Sequence, residues 1–184
     1  MKCTLIAACL MGLSLFGTSF AQDKNPRVVM ETNMGKVTIE LYAEKAPLTV
    51  KNFLKYVDDK HYDGTIFHRI IADFMIQGGG YEPGMKEKKT RDPIKNESTN
   101  GISNERGTIA MARTPVADSA TSQFFINTVE NKFLDRANAD DNVGYCVFGK
   151  VVEGLDVVDK MRRVPTKKTV PVEDVVIKSI RRAQ

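Results

Sequence analysis

The clearest alternation of apolar and polar positions lies near the start of the chain. Val28, Val29 and Met30 lead to a turn through Asn33-Met34-Gly35, after which Val37, Ile39 and Leu41 alternate with Lys36, Thr38 and Glu40. Period-two alternation around a tight turn predicts a hairpin with one buried face. Pro47 then opens a helix at a position where its missing N–H is no loss, and Val50, Phe53, Leu54 and Val57 follow at helical spacing. Strands are predicted over 65–71 and 75–78. A polar stretch rich in Gly, Pro and Asn, 79–106, predicts loop. Short strand runs recur at 107–112, 123–127 and 145–151. A helix over 154–161 follows, with Leu155, Val158 and Met161 on one face, and a strand over 172–180 closes the chain. Many short strands with two good helices predict a mainly β fold, an antiparallel barrel with helical lids. No internal repeat or low-complexity linker divides it.

One segment stands outside that pattern. From Cys3 to Gln22 there is no charged residue, the centre is apolar, and the run ends in Ser19-Phe20-Ala21 after a basic Lys2. Small residues at the first and third places before a cut mark a secretory signal peptide, residues 1–21, removed after Ala21. An uncleaved anchor is the alternative, because the run approaches the ~20 residues needed to span a bilayer; the dilution of the run by Gly, Ser and Thr and the cleavage site favour removal. A lipoprotein cut before Cys9 leaves almost no apolar stretch ahead of the cysteine. Residues 22–184 are then one exported domain, periplasmic in a Gram-negative cell, with no membrane insertion after cleavage.

Export removes two of the three cysteines and leaves Cys146 alone, so stability must come from the core rather than from disulfides. Cys146 sits in the strand-like run Gly144-Tyr145-Cys146-Val147-Phe148 and reads as a small buried hydrophobe. The whole chain has 27 basic and 23 acidic residues, net +4. That is too small and too dispersed along the sequence to argue for nucleic acid.

The candidate chemistry lies in Phe67-His68-Arg69-Ile70-Ile71-Ala72-Asp73-Phe74-Met75-Ile76-Gln77-Gly78-Gly79-Gly80. Strand alternation puts Arg69 on one face with Phe67 and Ile71. Burying an unpaired guanidinium is expensive, so Arg69 is an edge residue whose head reaches water, or is half of a buried salt bridge, or serves a site. Met75 and Gln77 share a face, and three glycines follow. An apolar pocket with an arginine and a glutamine at its rim suits an apolar group next to a peptide bond. His68, facing away from Arg69, reads as a packed structural histidine and His61 falls in a loop, so neither is expected to be catalytic. Ser119 and Ser122 with His68 form the hydrolase alternative, but nothing near them resembles an activated-serine turn.

The run from Tyr62 to Gly79 resembles the signature of the cyclophilin-type peptidyl-prolyl cis-trans isomerases. Gly107-Thr108-Ile109-Ala110-Met111-Ala112, Ser122-Gln123-Phe124-Phe125-Ile126 and Val147-Phe148-Gly149-Lys150-Val151 match the family in the same order, and the form is closest to exported bacterial members. The resemblance implies a closed eight-stranded antiparallel barrel capped by two helices, with the site on an outer face. It implies Arg69 as the catalytic arginine and Phe74, Met75, Phe125 and Leu134 as the wall of a proline pocket. Gln77 then holds the substrate backbone, and Ala112, Arg113 and Gln123 line the groove before the proline, Arg113 through its backbone. Phe133 stands where a tryptophan is common and Tyr145 where a histidine is common; the tryptophan is the position associated with cyclosporin, so weak or no cyclosporin binding is expected. Such a site needs no metal, cofactor, nucleophile or general base. The implied partners are proline-containing polypeptides and unfolded exported proteins, met by a monomer. The alternative is a proline-segment chaperone or adaptor of the same fold in which turnover is unimportant.

Overall fold

The computed structural model describes residues 25–183; the expected signal peptide and its cleavage after Ala21 lie outside the described residues. In chain order the elements are β1 (Arg27–Thr32), β2 (Gly35–Leu41), α1 (Pro47–Asp58), β3 (Arg69–Ile71), β4 (Met75–Gly78), β5 (Tyr81–Glu82) and β6 (Lys86–Glu87). There follow β7 (Thr108–Met111), β8 (Phe124–Asn127), β9 (Val147–Glu153), α2 (Leu155–Met161), β10 (Thr166–Lys167), β11 (Val170–Pro171) and β12 (Ile177–Arg182). Single 3-10 turns stand at Ser98–Asn100 and Lys132–Leu134. Eight strands make one curled antiparallel sheet in the order β12-β1-β2-β9-β7-β8-β4-β3, with β5–β6 and β10–β11 as separate small hairpins.

The sheet is open, which corrects the expectation of a closed barrel. It ends at β12 and β3, and the seam between them holds one bridge, Ile66 to Val176, with flanking bonds from Phe67 N–H to Val175 O (2.9 Å) and Ile177 N–H to Thr65 O (2.8 Å). Two expected strands are shorter than their apolar runs. Residues 62–65 turn, with Gly64 at φ 75° and the Thr65 hydroxyl bonded to Tyr62 O at 2.7 Å, so β3 begins only at Arg69. The last strand begins at Ile177 rather than at 172. The outer edge of β3 is met instead by Thr169 O, which accepts the Ile70 N–H at 2.7 Å.

The turn also corrects the expected face of Phe67. Phe67 joins Ile70 in the interior cluster, while Arg69 and Ile71 stay half-buried on the other side. Alternation cannot be carried back through residues that are not in a strand.

The interior holds the apolar residues of β1 and β2, the buried face of α1 and the ring group Phe53, Tyr62, Phe124 and Phe148. Pro47 occupies the first turn of α1 as expected, but the cap is a loop residue. The Glu97 carboxylate accepts the Leu48 and Thr49 N–H groups at 3.1 and 2.8 Å, satisfying donors that no intrahelical carbonyl reaches. α2 lies against β2 and α1 against β12. Among the described residues no helix is long and apolar enough to cross a membrane, and no cluster of His, Cys, Asp or Glu has the grouping of a metal site.

Candidate active site

In an antiparallel sheet, directly paired residues point to the same face. Arg69 pairs with Gln77, Gln77 with Phe125, Phe125 with Ala110, and Ala110 with Val147, so one row crosses five strands, β3-β4-β8-β7-β9. Met75, Phe125, Ala110, Val147 and Leu134 form an apolar cluster separate from the interior core. Ile71, Phe74, Ala112 and Tyr145 pack on it half-buried. The sheet thus carries a second, partly open apolar surface on its outside, with Arg69 and Gln77 at its end.

The polar end is a chain of side-chain bonds. Arg69 Nη1 donates to Gln77 Oε1 at 3.3 Å, and Gln77 Nε2 donates to Gln123 Oε1 at 2.9 Å. Arg69 Cζ lies 5.9 Å from the Phe74 ring centroid. Among the described residues no carboxylate forms an ion pair with Arg69, so the salt-bridge reading does not hold, and its stem does not lie on Phe67. Gly80 makes the relay possible. A Cβ there would stand 2.5 Å from Gln123 Cγ, so the space beside the third glycine belongs to the glutamine.

The apolar wall rests on a polar scaffold that the sequence pattern gave no sign of. Phe74 stacks on Phe133 (centroids 5.5 Å, 29° between planes), and Phe133, with 57% of its surface exposed, forms the outer lip. The turn carrying Phe74 is tied down by Thr128 N–H and Asn131 Nδ2, both donating to Phe74 O at 3.1 and 2.8 Å. Asn131 Nδ2 also donates to Asn127 Oδ1 at 2.7 Å, and Asn127 Nδ2 donates to Thr108 Oγ1 at 2.9 Å and Asn104 Oδ1 at 3.2 Å. Asp135 accepts Asn104 N–H and Nδ2 at 2.7 and 2.9 Å. These buried amides fix the segment bearing Phe133 and Leu134 against β7 and β8. Spacing in sequence reveals none of them: apart from the Asn127–Asn131 contact, the partners lie about twenty or more residues apart.

Arg113 departs from its expected role as a backbone contact alone. Its side chain is only 3% exposed, with Cζ 4.5 Å above the Tyr145 ring, Nε donating to Gly144 O at 2.9 Å, and an ion pair to Asp141. Asp141 in turn accepts the Val143 and Gly144 N–H groups at 2.9 and 3.0 Å. Those contacts, the Gly144 amide first and Arg113 next, hold the Asp141 carboxyl well below the usual carboxylate range. Gly144 sits at φ 66°, and a Cβ would lie 2.6 Å from Arg136 N, so only glycine closes this turn. Tyr145 then meets Phe125 edge to face at 5.7 Å. Ala112 N–H donates to Gln123 O at 3.0 Å, which puts the two expected groove residues side by side.

The remaining reactive side chains stand apart from this surface. His68 packs on the Tyr81 ring, and burial, with Arg69 as the second cause, pushes its pKa down to about 4. His61 lies between Tyr56 and Tyr62 and is likewise pushed down, by burial first. Ser119 bonds within its own turn to Thr114 and Val116, and neither it nor Ser122 is hydrogen-bonded to a histidine. Cys146 is buried beside Thr49, and burial pushes its thiol up to about 11. The arrangement offers fixed donors beside an apolar wall, and no activated nucleophile.

The sequence model described as cyclophilin type peptidyl-prolyl cis-trans isomerase/CLD matches residues 27–182. A peptidyl-prolyl cis-trans isomerase of Acinetobacter baylyi is 52% identical over 97% of this chain and 98% of its own. Peptidyl-prolyl cis-trans isomerase B of Escherichia coli is 54% identical over 83% of this chain and 97% of its own. Among solved structures, a cyclophilin-type isomerase of Cryptosporidium parvum, determined in the presence of the dipeptide Ala-Pro, superposes with a TM-score of 0.76 at 28% identity, over 86% of this chain and 99% of that one. The fold, the match along nearly all the described residues and relatives at more than half identity agree: the chain belongs to the cyclophilin-type peptidyl-prolyl cis-trans isomerases and is an enzyme of that activity.

Proposed function

We propose that Arg69 catalyses rotation about X–Pro bonds by donating to the prolyl nitrogen as the amide twists, while the outer apolar surface grips the proline ring. One observation carries the assignment: a guanidinium in no ion pair stands at the end of a partly open apolar wall, with only one of its N–H groups given to Gln77. Rotation is slow because amide resonance must be lost, a barrier of ~18–20 kcal/mol. In the twisted state the nitrogen becomes pyramidal and recovers its lone pair. A donor aimed there binds the transition state better than the planar amide, which is what acceleration requires. Arginine suits this because it stays charged and gives up no proton.

Magnitude shows that Arg69 needs help. Bringing exchange from tens of seconds to milliseconds takes about 10⁴-fold, or ~5.5 kcal/mol. A hydrogen bond to a charged group contributes only ~1.5–3 kcal/mol net. Positioning supplies the rest. Met75, Phe125 and Leu134 hold the ring, Phe74 and Phe133 close one side, and Gln77, fixed by Gln123, orients the carbonyl before the proline. Ala112, Arg113 and Tyr145 border the groove for preceding residues.

The substrates we assign are proline-containing segments of unfolded exported proteins, the ligand class offered to the Cryptosporidium parvum relative being a proline dipeptide. Export, with cleavage after Ala21 and residence in the periplasm, rests on the uncharged leader. It is supported by the Acinetobacter baylyi match spanning 97% of the chain, whereas the match to Escherichia coli isomerase B spans 83%. Recovery of the protein in the cytoplasmic fraction with residues 1–21 still attached would overturn it. Weak cyclosporin binding follows from Phe133, an aromatic with no N–H to donate; Phe133→Trp is expected to strengthen inhibition.

The direct test is the cis-to-trans rate of a short X-Pro-Phe peptide. Wild-type protein accelerates it, Arg69→Ala loses about tenfold or more in kcat/KM at similar peptide binding, and Phe125→Ala loses chiefly through KM. Binding by folded wild type without acceleration would transfer the site to the holding role.

A further inference from the structure

The sequence disperses its lysines, but folding gathers them. A cavity of about 460 Å³ opens between the exposed side of α1 and the loop after β6, lined among others by Lys51, Lys55, Arg91 and Lys95. A second, of about 400 Å³, continues past Arg91 and is lined by Lys60, Lys88 and Lys89. Together these walls hold seven cations against two carboxylates, Asp59 and Asp92, and of the seven Lys88 is also paired with Glu82 at 3.9 Å. The excess of five positive charges is larger than the +4 of the whole chain, so the rest of the molecule is close to neutral. Arg91 divides the cleft and is fixed there. Its N–H donates to the Tyr56 hydroxyl at 2.8 Å, its guanidinium lies over the Tyr56 ring, and it is paired with Asp59. Lys51, Lys55, Lys89 and Lys95 are exposed and in no ion pair among the described residues. Holding so many like charges together, with so few carboxylates between them, favours an anion that bridges them.

We infer that this cleft docks an acidic segment of a polypeptide, at a surface separate from the proline site. Three features favour a peptide over other polyanions. The cations come from two elements, Lys51 and Lys55 from α1 and Lys88, Lys89, Arg91 and Lys95 from the loop after β6, so an extended acidic chain laid between the two elements meets cations from both. No exposed aromatic side chain lines the cleft to stack a base; Tyr56 is 2% exposed. The cations are nearly all lysines, point charges suited to scattered carboxylates, rather than the bidentate arginines that phosphates favour.

The position suits a client that reaches both sites. One segment separates them. Its ends, Ala112 and Gln123, border the proline surface, while its Ala120 pairs with Ile94 and its Thr121 O accepts from Asn52 on α1, beside the cleft. A chain whose acidic stretch sits in the cleft therefore presents a nearby proline at raised effective concentration. The inference stands on charge and shape, independent of the catalytic role of Arg69.

The test uses a fluorescein-labelled, proline-free peptide of alternating Asp and Gly, a Ser/Gly control, and Lys51→Glu/Lys55→Glu/Lys89→Glu beside the corresponding triple Gln variant. The acidic peptide is expected to bind, to weaken about tenfold or more in the Glu variant and less in the Gln variant, and to be lost as salt rises from ~0.05 to ~0.3 M. Turnover of a short neutral X-Pro peptide stays within about twofold of wild type in both variants, which also reports that they are folded. A substrate with an acidic stretch beside its proline has a lower KM than its neutral analogue in wild type only. Equal binding of the Ser/Gly control, or an unchanged affinity in both variants, overturns the inference. So does lysine-dependent binding of phosphatidylglycerol vesicles or an RNA oligonucleotide in preference to the peptide.

Discussion

Two rows of side chains cross the same strands one residue apart, and they are built for opposite purposes. Facing in, Ile70 pairs with Ile76, Ile76 with Ile126 and Ile126 with Ile109, four isoleucines with almost no exposure. Facing out, Arg69, Gln77, Phe125 and Ala110 occupy the next positions. The inner row is uniform, branched and closed, which suits dense packing. The outer row mixes a cation, an amide, a ring and a methyl, and leaves some of its apolar surface open. Residues that fold the sheet and residues that use it are therefore neighbours in sequence but separate in energy.

Ile126→Ala and Arg69→Ala should divide cleanly along that line. Removing the inner isoleucine is expected to destabilise the fold by ~2–5 kcal/mol, read as a shift in urea midpoint, while the protein that remains folded keeps its kcat. Removing Arg69 is expected to lower kcat/KM by about ten- to a hundredfold and leave the unfolding free energy within ~1 kcal/mol of wild type, since no ion pair is broken. If Ile126→Ala lowers kcat as much as Arg69→Ala does, the two faces are coupled and the comparison fails.

The inner row was more legible in the sequence than the outer. The β1–β2 hairpin, α1, β4 and α2 announce themselves because period two, period 3.6 and Pro47 are local signals. The seam was not legible: the apolar run 65–71 counts as one strand by pattern, yet it follows directly on the turn at Tyr62–Thr65, and Ile66–His68 make only a single bridge, Ile66 to Val176, before β3 begins at Arg69. On the outer face, the shared direction of Met75 and Gln77 was readable from β4 alone. That Phe125, Leu134 and Tyr145 would meet them rested on family resemblance, and the structure brings them into one cluster. The Asn104–Asn127–Asn131 amides and the Glu97 cap on α1 were invisible because they rest on single polar contacts with no period, and the lysine cleft because its cations come from α1 and from a loop some thirty or more residues on.

His68 precedes Arg69 in the chain, and its titration ties the stability of the fold to pH and to the charge on the outer row. Burial is the larger cause of its pKa of about 4 and the neighbouring Arg69 charge the second. Its folded pKa is below the unfolded one, so the unfolded chain takes up the proton first. Stability is then complete above the unfolded pKa and is lost as pH falls from about 6.5 towards about 4. Urea midpoints should therefore drop between about pH 7 and pH 5. In Arg69→Ala the His68 ring proton signals should titrate at higher pH than in wild type, yet still below the ordinary value, because burial remains. An unshifted titration in that variant would show that the charge on the outer face does not reach the inner side.

The smallest effect is expected at the far end of the outer surface, where Asp141 steadies Arg113 under Tyr145. Asp141→Asn keeps an oxygen for the Val143 and Gly144 amides but turns a carboxylate facing a guanidinium into a neutral amide. Arg113 retains Gly144 O, Thr114 O and the Tyr145 ring, so the turn persists with one anchor fewer. Because Asp141 is exposed, the change should raise KM about twofold to threefold and leave kcat unchanged. Since its carboxyl is held well below the usual range, wild-type KM should show no titration from this group down to about pH 5, and the variant should parallel it. A fall in kcat at constant KM would mean that this turn acts on the twisted amide itself, and the division between gripping surface and donor would have to be redrawn to include Tyr145.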